Sequence, residues 1–217
     1  MIQKNNLYYL RIILICSSFL ICALMLSYLH ISVKRGLDED LKEKALNSFK
    51  KHSSSIRNKK LIIIIDFDKD IFQRRFWLYD IQQQKVLLNN RVSHAFSSGL
   101  INCRNISNAA GSQKSCVGSF VTGSQYQGKY GNSMKVIGLE SQNDNAFRRH
   151  IVFHQNVAHK YYGFNIPKWM SIYSSGCFCL DEESINNVIN KTKNGTFIYV
   201  NKSKKESVSK KYNSSFF

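Results

Sequence analysis

A cysteine and a histidine in the C-terminal half are residue types that together generate a nucleophile. Cys177 ends the tetrapeptide Ser174-Ser175-Gly176-Cys177, and His154 lies upstream of it. A thiol becomes a nucleophile when a base accepts its proton and a third group orients that base. The glycine would let a substrate approach the main chain, whose N–H groups stabilise an oxyanion. The pattern predicts either an enzyme that transfers acyl groups through a cysteine or a basic domain without that activity.

Apolar runs predict the strands that would position these residues. A continuous β-branched run indicates a buried strand, and two runs around a Gln-rich turn predict a hairpin. One predicted strand ends at His154 and so carries the candidate base. The predicted strands cover residues 61–65, 76–81, 85–88, 117–122, 134–139, 150–154 and 196–200. We therefore expect a mainly β fold with one or two short helices.

Two amphipathic helices are predicted outside the strands. The first would form a polar stalk before a Ser-rich linker, with its apolar stripe at Leu37, Leu41, Ala45 and Phe49. The second runs over residues 181–193, because Asp181 can cap its start and Gly195 can end it. Its apolar stripe consists of Ile185, Val188 and Ile189.

An uncharged N-terminal segment predicts a membrane anchor. Residues 12–29 are predominantly apolar and are bracketed by Arg11 and by His30, Lys34 and Arg35. As a helix they would measure roughly 27 Å, enough for a bilayer core. A cleaved signal peptide is the alternative, but no small-residue cleavage site follows. We expect a transmembrane helix and a periplasmic domain anchored to the inner membrane, or a secreted domain if the segment is cleaved.

The net charge and the cysteine pattern limit the kinds of partner that the chain could bind. The chain has 31 Lys and Arg against 14 Asp and Glu, a net charge of +17, which favours a polyanionic partner. No nucleic-acid-binding signature accompanies the charge, so we expect no nucleic acid. Cys177 and Cys179 lack a second Cys/His pair at zinc spacing, so no metal is expected. Cys103 and Cys116 would pair only if geometry permits.

Many short motifs, in order, resemble the murein L,D-transpeptidase catalytic-domain family. The matches extend from the first strands to the S-x-G-C tetrapeptide and cover roughly residues 60–200. They comprise Ile65-Asp66-Phe67, Arg75-Phe76-Trp77, His94-Ala95, Gly111-Ser112-Gln113-Lys114-Ser115, Gly118-Ser119-Phe120, Thr122-Gly123, Tyr126, Gly128-Lys129, Gly131, Gly138-Leu139-Glu140, Asn143-Asp144-Asn145-Ala146 and the segment from Arg149 to His154.

The resemblance implies a β-sandwich or barrel that acts on peptidoglycan stem peptides without a cofactor. It implies that Cys177 is the nucleophile and His154 its base, with Gly176 at the oxyanion hole and Ser174 near the thiol. It also implies that Gln155 and Ser175 contact substrate, that His94 contacts substrate or supports the residues that do, and that the Gln155 carbonyl fixes the His154 tautomer. A thioester would be resolved by an amine in a transpeptidase or by water in an L,D-carboxypeptidase.

Departures from the family pattern leave a third function open. Gln155 stands where glycine is usual, and Phe178-Cys179 replaces Pro-Ala. A non-catalytic peptidoglycan-binding descendant is therefore an alternative to both enzymes. The predicted organisation is an anchor or signal (1–35), a stalk and linker (36–60), a catalytic domain (61–200) and a disordered basic tail (201–217). The oligomeric state is open.

Overall fold

The protein is described by a computed structural model over residues 2–34, 36–156 and 174–203. The helices in these ranges are α1 (Ile2–Lys34), α2 (Glu39–Lys51) and α3 (Glu182–Thr192). The strands are β1 (Asn58–Asp66), β2 (Phe76–Asp80), β3 (Lys85–Asn90), β4 (Gly118–Gly128), β5 (Gly131–Gly138), β6 (Val152–Gln155), β7 (Phe178–Leu180) and β8 (Thr196–Asn201). The fold is mainly β with few helices, and the short strand β7 is the one that the apolar pattern missed.

The eight strands form one curved sheet in the order β3-β2-β1-β8-β4-β5-β6-β7. The pairs β1–β8 and β6–β7 are parallel, and the others are antiparallel. Phe76 on β2 and Phe153 on β6 lie far apart in this order, yet their ring centroids are 6.3 Å apart. The sheet therefore curls into a half-barrel, which corrects the expected sandwich or barrel.

Strand β1 is buried on both faces because different elements cover each side of the sheet. Ile63 and Ile65 belong to the main core, which also contains the apolar stripe of α3. Ile62 and Ile64 belong to a second cluster that contains Leu41 and Ala45 of α2. The run of isoleucines satisfies both clusters, since successive side chains in a strand point to opposite faces. The predicted α3 stripe is confirmed, and the Asp181 side chain caps the helix.

Helix α2 packs against the sheet, as its buried apolar side chains show. Asp38 caps its first turn, and Leu41 and Ala45 are buried against the sheet. The Ser48 hydroxyl lies 2.6 Å from that of Ser119 on β4. The predicted amphipathic helix is confirmed, and it lies on the sheet rather than apart from it. The domain boundaries remain predictions.

The expected N-terminal transmembrane helix is corrected. Crossing a bilayer core takes about 20 predominantly apolar residues in a helix. Within the described residues, no helix combines the length and the apolar character needed to cross a membrane.

The predicted disorder of the basic tail falls mainly on residues 204–217, which lie outside the described residues. Cys103 and Cys116 are buried free thiols, so the conditional pairing is not formed.

A buried arginine organises the loop that follows β3. The Arg75 guanidinium donates to the carbonyl of Val92 and to Nδ1 of His94, which lies 2.8 Å away. The Nε2–H of His94 donates to the Gly99 carbonyl at 2.6 Å. Burial, reinforced by the Arg75 charge, lowers the pKa of His94 from 6.5 to about 4. The imidazole is therefore neutral in the folded protein at neutral pH.

If α2 is an integral part of the fold, truncating its buried face will destabilise the whole domain. We expect Leu41→Ala to lower the free energy of unfolding by about 2–4 kcal/mol, through lost burial and a residual cavity. Urea unfolding of the full chain measures this, with the exposed Glu43→Ala as the matched control. Equal stability of the two variants would contradict the packing described for α2.

The neutral His94 predicts a defined loss of stability in acid. The folded pKa lies below the unfolded one, so the unfolded chain binds more protons between the two values. The contribution is present above about pH 6.5 and is lost as the pH falls towards about 4. Between about pH 7 and about pH 5, we expect the free energy of unfolding of the wild-type protein to fall by about 2 kcal/mol more than that of His94→Gln. Glutamine retains one acceptor and one donor, so identical pH profiles would contradict this account.

Candidate active site

The parallel pairing of β6 with β7 brings the candidate residues together. Its register places Phe153 opposite Phe178, His154 opposite Cys179, and Gln155 opposite Leu180. Cys177 immediately precedes β7, so the S-x-G-C tetrapeptide leads directly into the strand beside His154. The site therefore forms where two strands, separated in sequence, run side by side.

The His154 ring is held in one tautomer by its own strand. Nδ1 lies 2.7 Å from the carbonyl oxygen of Gln155, which only accepts hydrogen bonds. Nδ1 therefore carries the proton in the neutral ring, and Nε2 presents its lone pair. The Tyr130 ring stacks on the imidazole with centroids 4.6 Å apart. Burial lowers the pKa of His154, opposed by the Gln155 carbonyl, so the ring is poised as a neutral base.

The thiol next to that lone pair belongs to Cys179. Its Sγ is 3.2 Å from His154 Nε2, within hydrogen-bonding distance for sulfur. The side chain is 1% exposed, and burial raises the pKa of this thiol far above its usual value. Cys179 is therefore a neutral thiol with little access to a substrate. The sequence singled out Cys179 only as a neighbour of Cys177, because the register of β7 was not predictable.

Cys177 is the partly exposed thiol of the site. Its Sγ donates to the His150 carbonyl at 3.6 Å, and no hydrogen bond joins it to His154 among the described residues. Burial of the sulfur raises the pKa of Cys177, while the Val152 backbone and the Arg149 charge oppose that rise. The resting thiol is therefore protonated, and a base must remove its proton before it can attack.

The backbone before Cys177 requires glycine. Gly176 has φ +121°, a conformation that L side chains rarely adopt, and a Cβ there would lie 3.1 Å from the Lys114 carbonyl oxygen. Its N–H donates to the Ser174 hydroxyl at 3.2 Å, while Ser175 is exposed. The predicted oxyanion donor at Gly176 thus has a hydroxyl acceptor, Ser174, in the resting structure.

Ser93 holds the backbone of both cysteines, a role that sequence reasoning missed. Its hydroxyl donates to the Cys177 carbonyl at 3.0 Å and accepts from the Cys179 N–H at 2.8 Å. Its own N–H donates to the Cys179 carbonyl at 3.0 Å. Strand β7 is thereby fixed between β6 and the loop after β3. The one signal in the sequence was that Ser93 lies directly before His94, a predicted site residue.

His94 supports the site from the interior rather than from its surface. It is fully buried, and both ring nitrogens are hydrogen-bonded within the chain. The next residues continue to the tetrapeptide, since Ala95 forms a β-bridge with Ser174 and the Phe96 N–H donates to the Ser174 carbonyl. This placement supports the Ser174 backbone, and the predicted role of His94 at the site stays a prediction.

Arg149 is a second residue that the sequence did not single out. Its guanidinium donates to the carbonyls of Ser107 and Lys114, and its positive charge favours the thiolate form of Cys177. Among the described residues, no group of three His, Cys, Asp or Glu side chains could hold a metal ion. The geometry around His154 supports acid–base chemistry at a thiol.

Comparisons with solved structures give distant resemblances. Pgp2 from Campylobacter jejuni, a helical cell shape determining protein, has a TM-score of 0.44 and 13% identity, covering 69% of this chain and 49% of that one. An L,D-transpeptidase from Mycobacterium smegmatis has a TM-score of 0.41 and 11% identity, covering 66% and 59%. One from Enterococcus faecium has a TM-score of 0.41 and 12% identity, covering 66% and 50%.

The chain thus spans 49–59% of the length of these solved structures. No curated protein matches it. A family model gives the decisive match, because the model described as the L,D-transpeptidase catalytic domain covers residues 33–201, most of the chain and all eight strands. The protein belongs to the L,D-transpeptidase catalytic domain family.

Proposed function

We propose that the protein is a peptidoglycan L,D-transpeptidase that forms a thioester between Cys177 and a stem peptide. Family membership supports the class of reaction. The observation that carries the assignment of His154 as the base is its fixed tautomer. This tautomer directs the Nε2 lone pair towards β7, the strand that begins immediately after Cys177. Because peptidoglycan lies outside the inner membrane, the proposal also requires a periplasmic domain.

In the proposed first step, His154 Nε2 accepts the proton of the Cys177 thiol. The thiolate attacks the carbonyl carbon that precedes the terminal D-residue of the stem peptide, and a tetrahedral oxyanion forms. Backbone N–H groups at Gly176 and Cys177 would stabilise that oxyanion. The peptide C–N bond then breaks, the imidazolium returns its proton to the leaving amine, and a thioester remains on Cys177.

In the second step, an amine acceptor or water resolves the thioester. His154 Nε2 removes a proton from the acceptor, which attacks the thioester carbonyl, and the proton then returns to the departing Cys177 sulfur. An amine acceptor gives a cross-link or an exchanged terminus, and water gives a shortened stem. The neutral resting state of His154 suits both steps, because the ring must start each one as a base.

Exposure favours Cys177 over Cys179 as the nucleophile. Cys177 is partly exposed, whereas the Cys179 side chain is almost completely buried. The predicted substrate contacts at Gln155 and Ser175 are partly exposed and exposed, respectively. A stem peptide can therefore reach Cys177 without opening the core. The net charge of +17 would favour approach to the anionic cell wall.

One observation favours the non-catalytic alternative. His154 Nε2 contacts Cys179 in the resting structure and makes no hydrogen bond with Cys177 among the described residues. A protein fixed in this state would bind stem peptides without turnover. Catalytic hydrogen bonds often tighten only when substrate binds, so the resting geometry is compatible with the enzyme as well.

Removing the nucleophile tests the proposal. We expect Cys177→Ala to reduce the release of the terminal D-residue from disaccharide–tetrapeptide muropeptides by at least about 1,000-fold, because the acyl acceptor is lost. The full chain is incubated with muropeptides and a D-amino acid, and mass spectrometry identifies exchanged, cross-linked and shortened products.

Cys22→Ser is the matched control, since it removes an exposed free thiol from α1. We expect it to retain wild-type activity. Exchange or dimer formation establishes the transpeptidase, and shortened stems alone establish the carboxypeptidase. Binding of muropeptides without any product, equal in wild type and Cys177→Ala, would contradict the proposed enzyme and support the binding protein.

A further inference from the structure

We propose that Cys179 is a positioning residue that occupies the base of the site in the resting protein, because its thiol donates a hydrogen bond to His154 Nε2. Cys177 then gains access to that nitrogen only when the Cys179 contact opens. The inference rests on the proposed function in assigning His154 as the base for Cys177, but the contact itself is a property of the resting fold.

The location of the Cys179 thiol is set by backbone contacts on both sides of β7. The pairing with β6 places Cys179 opposite His154. On the other side, Ser93 accepts from the Cys179 N–H and donates to its carbonyl. The side chain is enclosed in the core, so the contact opens by rotation of the S–H bond or of the imidazole rather than by movement of the sulfur. The pairing of β6 with β7 therefore fixes the Cys179 sulfur beside His154 Nε2.

A neutral imidazole has one nitrogen that can accept a proton. Nδ1 already donates to the Gln155 carbonyl, so Nε2 provides the single lone pair. A thiol hydrogen bond to that lone pair excludes a second donor from it. Cys179 and Cys177 are consequently alternative partners of the same nitrogen.

The spacing of the two cysteines supports this competition. Residues two apart in an extended segment point to the same face and lie about 7 Å apart along the strand. The Ser93 hydroxyl spans this segment, because it binds the Cys177 carbonyl and the Cys179 N–H together. Cys177 thus lies two residues before the cysteine that contacts the ring, and its own thiol donates to the His150 carbonyl instead.

The hydrogen bond from Cys179 should affect the titration of His154 in a known direction. A donor to Nε2 stabilises the neutral ring, so it lowers the pKa of His154. Besides the two cysteines, the titratable groups on this side of the ring among the described residues include Tyr130, which stacks on the ring, and Lys129, whose ammonium lies 5.7 Å from the Tyr130 centroid. Arg149 faces the neighbouring Cys177. None of these groups is changed by substitution of Cys179.

Two substitutions separate the hydrogen bond from simple packing. Cys179→Ala removes the donor, whereas Cys179→Ser retains one in a similar volume. The ring of His154 is titrated by NMR in the full chain, with its signals assigned from His154→Gln. The rate of Cys177 alkylation by iodoacetamide is then measured against pH, with the adduct located by mass spectrometry.

We expect Cys179→Ala to raise the pKa of His154 by about 0.5 and to move the midpoint of Cys177 alkylation to lower pH. Cys179→Ser should stay close to wild type in both measurements. Identical titrations in all three proteins, or equal shifts in the two variants, would overturn the proposal. The titration is also recorded in a Cys177→Ala background without substrate, so failure of acyl transfer cannot be mistaken for failure of the contact.

Discussion

The register between β6 and β7 is the constraint on which the rest of the site depends. Side chains alternate along a strand, so a slip of one residue would turn Cys177 and Cys179 away from His154 and move the phenylalanine of β7 to the other face of the sheet. The pairing of Phe153 with Phe178 prevents this slip, since both rings are buried with centroids 5.0 Å apart. Packing in the core therefore determines which atoms meet at the site.

The curvature of the sheet gives this register its second support. Because the half-barrel brings the loop after β3 against β7, Ser93 can bind the strand from the side opposite β6. The buried Arg75 and His94 hold that loop through backbone carbonyls and one another. A buried cation is costly unless it is hydrogen-bonded, so the hydrogen bonds from Arg75 to backbone carbonyls stabilise the loop. The site thus rests on polar contacts inside an apolar core.

The sequence predicted the elements better than their contacts. The isoleucine run of β1 and the capped, amphipathic α3 have strong local signals, and both were placed close to their observed bounds. Strand β7 has only three residues, too few for a periodic pattern, so the position of Cys179 against His154 was not predictable. The family motifs singled out Cys177 and His154 as candidates, but not Ser93, whose contacts come from a strand distant in sequence. The N-terminal apolar run led to an incorrect prediction because composition alone does not establish a membrane-spanning helix.

In the proposed mechanism Cys177, rather than Cys179 beside His154, attacks the stem peptide. The most direct measurement is to quench the full chain with acid during turnover of a tetrapeptide muropeptide, digest it, and locate the acyl group by fragment mass spectrometry. We expect a thioester on Cys177, with Cys179 unmodified. A thioester on Cys179 would contradict it, as would turnover without any adduct on Cys177.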